Sequence, residues 1–211
     1  MQDPMPMEMK KTVDILSELF GEVFITDDFL QYGKAKSFQC VYKDECKFHE
    51  TDETSMTPVV VNKNGTSTIL VLMEAPSSTN PGAWISGKFE DWSSNGKLYY
   101  QLFLLISQSF PRHRILVTDV IKCGVAKQRD KNILAIRRDR CIETFLNKEI
   151  EAFAPDKIFC IGRSAEILSK SVRGNRSTYY LVHPSGRVKM SAVKKREMWQ
   201  RVLQEAGGLA N

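Results

Sequence analysis

Residues 67–78 read STILVLMEAPSS. Five consecutive apolar residues, Ile69 to Met73, end at Glu74-Ala75-Pro76, where proline can no longer donate to a sheet ladder. The pattern predicts a strand buried on both faces, as in a parallel sheet. The first polar residue beyond it is a carboxylate. A second stretch, Ile115–Cys123, reads ILVTDVIKC and repeats the theme, with Asp119 set inside an apolar, β-branched run. An ionised carboxylate in such a place is costly unless something pairs with it.

Working outward, Met9–Phe20 places Val13, Leu16 and Phe20 on one helical face, with Leu19 beside them. Residues 40–66 are polar and turn-rich. Residues 77–96 form a long loop rich in Ser, Gly, Asn and Pro with Trp84, Phe89 and Trp92 in it, and loops of that length are usually functional. Lys97–Phe110 reads as a helix and Arg114–Ile121 as a second strand. Arg137–Phe153 is an amphipathic helix with Ile142, Phe145, Leu146, Ile150 and Phe153 in register, broken by Pro155-Asp156. KIFCIG (157–162) and STYYLVH (177–183) are further strands. Ser164–Ser169 and Ala192–Gln204 are helices. Strands alternating with helices imply a parallel sheet covered on both faces. Ligands of such sheets gather beyond the carboxyl ends of the strands, here Glu74, Asp119, Gly162 and His183-Pro184.

The chain has 211 residues, enough for one well-cored domain. It is 42% hydrophobic and 26% charged, ordinary for a globular protein. No apolar run approaches the roughly 18 residues of a membrane helix. MQDPMPMEMKK lacks an apolar signal core, so a cytoplasmic location is expected. Five cysteines in that setting suggest metal ligation or burial before disulfides. The formal charge of +5 is unevenly spread: residues 1–60 carry 12 acids and 6 bases, a net of −6. Residues 122–140 hold 7 bases and 2 acids and residues 163–201 hold 10 and 2, so the two together carry 17 − 4 = +13. That is a footprint for a polyanion such as nucleic acid, or a solvated basic surface.

In chain order, EAP after the first strand, TDVIKC after the second, a CxxxFL helix (Cys141–Leu146), PDKIFCIGRSA (155–165) and His183-Pro184-Ser185 resemble the uracil-DNA glycosylase superfamily. Within it they are most similar to the iron–sulfur branch, family 4. The resemblance runs from about residue 36 to 201. It implies an α/β fold, a three-layer α/β/α sandwich with a central four-stranded parallel sheet. The single glycosylase domain would span 1–211, with a helical segment at 1–35 and the superfamily core at 36–205. It also implies a monofunctional, monomeric DNA glycosylase that acts on DNA, not on membranes, and leaves an abasic site.

The resemblance assigns roles residue by residue. Cys40, Cys46, Cys123 and Cys141 stand where the branch ligates a structural [4Fe–4S] cluster, although the Cys40–Cys46 spacing is wider than usual; zinc on the same thiolates is the alternative. Cys160 reads as core. Glu74 would orient water and favour the oxocarbenium sugar, although Met73 and Ser77 replace the glycines that usually flank this motif. His183 would stabilise the leaving base, with Ser185, Arg187, Lys189, Arg163 and Lys194, and behind them Lys195 and Arg196, facing phosphates. Ala75 and Phe89 would bind the flipped base, Phe89 by stacking.

Asp119 occupies a position that is commonly asparagine, whose amide reads uracil. A carboxylate only accepts, whereas cytosine offers an N4 amino donor. The expected substrate is therefore a cytosine, and a modified one, because excising the plain base would be toxic. The nearest analogy is glucosylated hydroxymethylcytosine in phage DNA, removed as antiviral defence. The alternatives are a uracil glycosylase of base-excision repair, with Asp119 protonated, and an inactive DNA-binding module.

Overall fold

The computed structural model describes residues 7–21, 23–26, 58–74, 94–122, 138–162, 165, 176–184 and 188–209. In chain order these form α1 (Met7–Phe20), β1 (Phe24–Thr26), β2 (Val59–Val61), β3 (Ser67–Met73), α2 (Ser94–Ser109), β4 (His113–Asp119), a π-turn (Ile142–Leu146) running into α3 (Asn147–Phe153), β5 (Lys157–Ile161), β6 (Ser177–Leu181) and α4 (Ala192–Glu205).

One sheet carries all six strands in the order β1-β2-β4-β3-β5-β6. The four strands expected from the sequence form its parallel part, β4-β3-β5-β6. The expected count of four is corrected to six. β2 lies antiparallel against β4, pairing Val60 with Leu116, and β1 runs parallel to β2. These added strands are three residues each. Their pairing is non-local, and Val59–Val61 sits in a polar, turn-rich stretch that masks so short a run.

Strand alternation sorts the core into two layers. Ile69, Val71 and Met73 of β3, with Ile115 and Val117 of β4, face α2 and α4, packing on Leu102, Phe103, Ile106, Trp199 and Leu203. Leu70, Leu72 and Leu116 face the other way, onto Met9, Leu16 and Phe20 of α1 and onto Phe145, Leu146, Ile150 and Phe153. The architecture is the expected three-layer α/β/α sandwich, and Cys160 is part of its core. The π-turn interrupts what the sequence presents as one continuous helix: the Asn147 amide donates to the Ile142 carbonyl, five residues back. Helix ends follow ordinary capping chemistry. Gly21 closes α1 at φ 76°, its amide donating to the Ser17 carbonyl. The Ser191 hydroxyl accepts from the Lys194 amide at the start of α4.

Candidate active site at the carboxyl edge of the sheet

β3 and β4 end in register, with Met73 opposite Asp119. Their ladder continues past the strands, because the Val120 amide donates to the Met73 carbonyl and the Ile121 amide to the Glu74 carbonyl, each at 2.9 Å. Glu74 is therefore fixed by its backbone beside Val120 while its side chain is exposed. Met73, standing where a glycine was expected, buries its side chain among the residues facing α2. That packing gives this chain a reason to carry a large residue there.

Asp119 is 7% exposed. By alternation it shares the α2/α4 face with Val117, and its Oδ1 is buried with no hydrogen-bond partner among the described residues. Burial pushes its carboxyl up to about 7; Lys122 opposes the rise, and Glu149 and Glu74 add to it. Near neutral pH the group sits between acid and carboxylate.

The residue before it turns the other way. The Lys122 ammonium is fully buried and spends its three donors on Oε2 of Glu149 (2.6 Å), Oγ1 of Thr118 (2.7 Å) and the carbonyl of Asp119 itself (2.6 Å). The Thr118 hydroxyl in turn donates to Oε1 of Glu149 at 2.9 Å. Lys122 also lies over the Phe20 ring, 5.7 Å from its centroid. The network ties the end of β4 to α3 and α1. It also corrects the charge reading, since Lys122 was counted in the basic 122–140 segment and is instead neutralised inside the core.

His183 follows β6, half-buried, on the face that holds Asp119. Three strand spacings separate β4 from β6, roughly 14 Å at 4.8 Å each. Three elements hold the histidine. Tyr99 of α2 brings its hydroxyl to 2.7 Å from His183 Nε2, and the two rings meet edge to face with centroids 5.4 Å apart. Gly162, at φ 85° after β5, lies against the imidazole; a Cβ there would come within 3.0 Å of His183 Cδ2. α4 grips the backbone on either side, the Trp199 indole donating to the Val182 carbonyl (2.7 Å) and the Lys195 ammonium to the Pro184 carbonyl (2.9 Å).

Lys195 is thus a second correction. It is buried, 1% exposed, and fastens the histidine loop where the sequence suggested a phosphate contact. Lys189 and Lys194 are exposed. Arg196 is also exposed and donates to Oε1 of Gln101 on α2. Ala75, Phe89, Arg163, Ser185 and Arg187 lie outside the described residues.

The sequence profile of the uracil DNA glycosylase superfamily matches residues 63–207. The chain belongs to that superfamily. Its members are DNA glycosylases, and the match covers every strand end that builds the crevice. No curated protein matches the chain. Among the described residues no helix is long and apolar enough to cross a membrane.

Of the four cysteines that the superfamily's iron–sulfur branch suggests as ligands, Cys141 is buried just before the π-turn, a shielded position that suits a cluster ligand and a packed thiol alike. Cys40, Cys46 and Cys123 lie outside the described residues, and the first two precede the profile match. Among the described residues no group of three or more potential ligands converges.

Tyr99, Glu149 and Trp199 carry much of this geometry and were not singled out from the sequence. Glu149 left one trace, a carboxylate on the apolar face between Phe145 and Phe153. Tyr99 left none beyond its position on the helix that follows the long loop.

Proposed function

We propose that this superfamily member hydrolyses the N-glycosidic bond of a flipped-out pyrimidine in DNA, that the base is a modified cytosine, and that the product is an abasic site. The observation that carries the substrate reading is Asp119, buried on the face it shares with His183, with Oδ1 unbonded among the described residues. A buried acceptor without a partner is costly, and a ligand that donates to it removes the cost. The N4 amino group of cytosine is such a donor, and one proton shared between the second carboxyl oxygen and cytosine N3 completes the pair.

In this reading Glu74, exposed at the crevice, orients the water that attacks C1′ and favours the cationic sugar, while His183 donates a hydrogen bond to the departing base. The sugar–base bond breaks, water supplies the new C1′–OH, and its remaining proton ends on the base. Extrusion of the nucleotide costs a few kcal/mol, repaid by contacts in the pocket. Lys189 and Lys194 hold phosphates. Removal of a C5-modified cytosine fits a role against phage DNA. We further propose a structural cluster, [4Fe–4S] or zinc, on Cys40, Cys46, Cys123 and Cys141; iron and sulfide, or zinc, co-purifying with the protein test it.

One observation favours a second substrate. A protonated Asp119 also matches uracil, its carbonyl accepting from N3–H and its hydroxyl donating to O4, and the raised pKa keeps that form within reach. Duplexes containing uracil, cytosine, hydroxymethylcytosine or its glucosylated form, incubated with protein and then treated with alkali, separate these readings. Strand breaks at a modified cytosine are expected. Breaks at uracil alone overturn the cytosine reading, and binding without breaks anywhere overturns the enzyme. Asp119→Asn is expected to move preference towards uracil, and unchanged selectivity removes Asp119 from base reading.

A further inference from the structure

His183 Nε2 is not idle in the free protein: the Tyr99 hydroxyl lies 2.7 Å from it. We infer that Tyr99 is a positioning residue for His183, holding the imidazole edge-on to its own ring through Nε2 until the departing base takes that hydrogen bond over. The inference rests on the proposed role of His183 as leaving-group donor and adds to it the residue that orients the donor.

Three observations support the assignment. A hydrogen bond to one imidazole nitrogen fixes which way the ring faces. Here the partner comes from α2, a helix anchored in the core by Leu102, Phe103 and Ile106, so it is a fixed reference. The edge-to-face contact, with the rings 85° apart, restrains rotation about the Cβ–Cγ bond as well as the position of Nε2. Gly162 lies beside the imidazole, so that a Cβ there would come within 3.0 Å of His183 Cδ2, and the ring has little room on that side. Backbone fixing by Trp199 and Lys195 sets where the loop is; Tyr99 engages the reacting nitrogen.

A hydroxyl suits this duty because it both donates and accepts. It can hold Nε2 whichever protonation state the ring adopts, then yield the position without leaving a buried charge. A carboxylate there would hold the proton too firmly, and an apolar side chain would make no hydrogen bond to Nε2.

The test uses the 211-residue protein in four forms, wild type, Tyr99→Phe, His183→Ala and the double variant, on the panel of four duplexes. A second readout is the 15N signal of the His183 ring, which is sensitive to hydrogen bonding and simple to assign in a chain with three histidines. Tyr99→Phe keeps the ring and its packing, so an unchanged Tm is the control for folding. The expected result is a kcat lower by roughly ten- to a hundred-fold with KM within about two-fold, and a displaced Nε2 signal while those of His49 and His113 stay put. The double variant should be no slower than His183→Ala alone, since Tyr99 acts through the histidine.

Wild-type kcat in Tyr99→Phe alongside a crippled His183→Ala overturns the inference and leaves the histidine's role standing. Wild-type kcat in His183→Ala overturns both. Should none of the four duplexes be cleaved, an unmoved Nε2 signal in Tyr99→Phe overturns the inference, and a displaced one supports it.

Discussion

Lys122 Nζ lies 2.6 Å from Oε2 of Glu149, and neither side chain is reached by solvent. The pair sits directly beneath the crevice, because the same ammonium holds the carbonyl of Asp119. Two charges removed from water gain little net stability from each other, yet either one left alone is costly. Lys122→Met should therefore destabilise the fold by about 3–5 kcal/mol. The double variant Lys122→Met, Glu149→Leu should recover most of that. Urea unfolding of all four forms measures the cycle, and additive losses would refute the coupling.

Asp119 makes stability depend on pH. Its carboxyl is raised from 3.8 to about 7 in the fold. The folded state therefore holds the proton more tightly than the unfolded chain. Its contribution is fully present below about pH 4 and lost as pH rises through about 7, an amount on the order of 4 kcal/mol at 1.36 kcal/mol per unit. Asp119→Asn cancels this dependence. The difference in Tm between variant and wild type should grow in the variant's favour from pH 5 to pH 8. A constant difference would mean that Asp119 is solvated.

Gly162 combines positive φ with a neighbour at contact distance. Alanine there meets both backbone strain and the His183 ring, for a cost of about 1–2 kcal/mol. The loss of activity should exceed the loss of folded protein, since the imidazole must move. A crystal structure of Gly162→Ala with His183 unmoved would count against this.

Adjacent lysines on α4 should behave in opposite ways. Lys194→Ala, exposed, should weaken binding to any duplex and lower the slope of log affinity against log salt by about one. Lys195→Met should leave that slope alone, lower Tm and slow catalysis, because it frees the Pro184 carbonyl. Equal salt slopes in the two variants would contradict the assignment.

The sequence announced those parts of the molecule whose side chains follow a local period. Ile69–Met73 and Ile158–Ile161 had to be buried strands, and Leu16 with Phe20 had to face a core. The expected site follows the same logic, since strand ends gather where a parallel sheet stops, and β3 and β4 end in register with Met73 opposite Asp119. Lys122 and Lys195 were misread because a charge looks solvated until its partner is known, and those partners lie 27 and 11 residues away. Tyr99 was invisible because its meaning depends on a histidine 84 residues further along.

The two bonds from α4 to the carbonyls flanking His183 also fix an order of events during synthesis. Trp199 and Lys195 leave the ribosome after every strand among the described residues, so the histidine loop stays unfastened until α4 has been made. A chain halted before residue 195 would therefore carry the described strands while the carbonyls of Val182 and Pro184 lacked both of these donors.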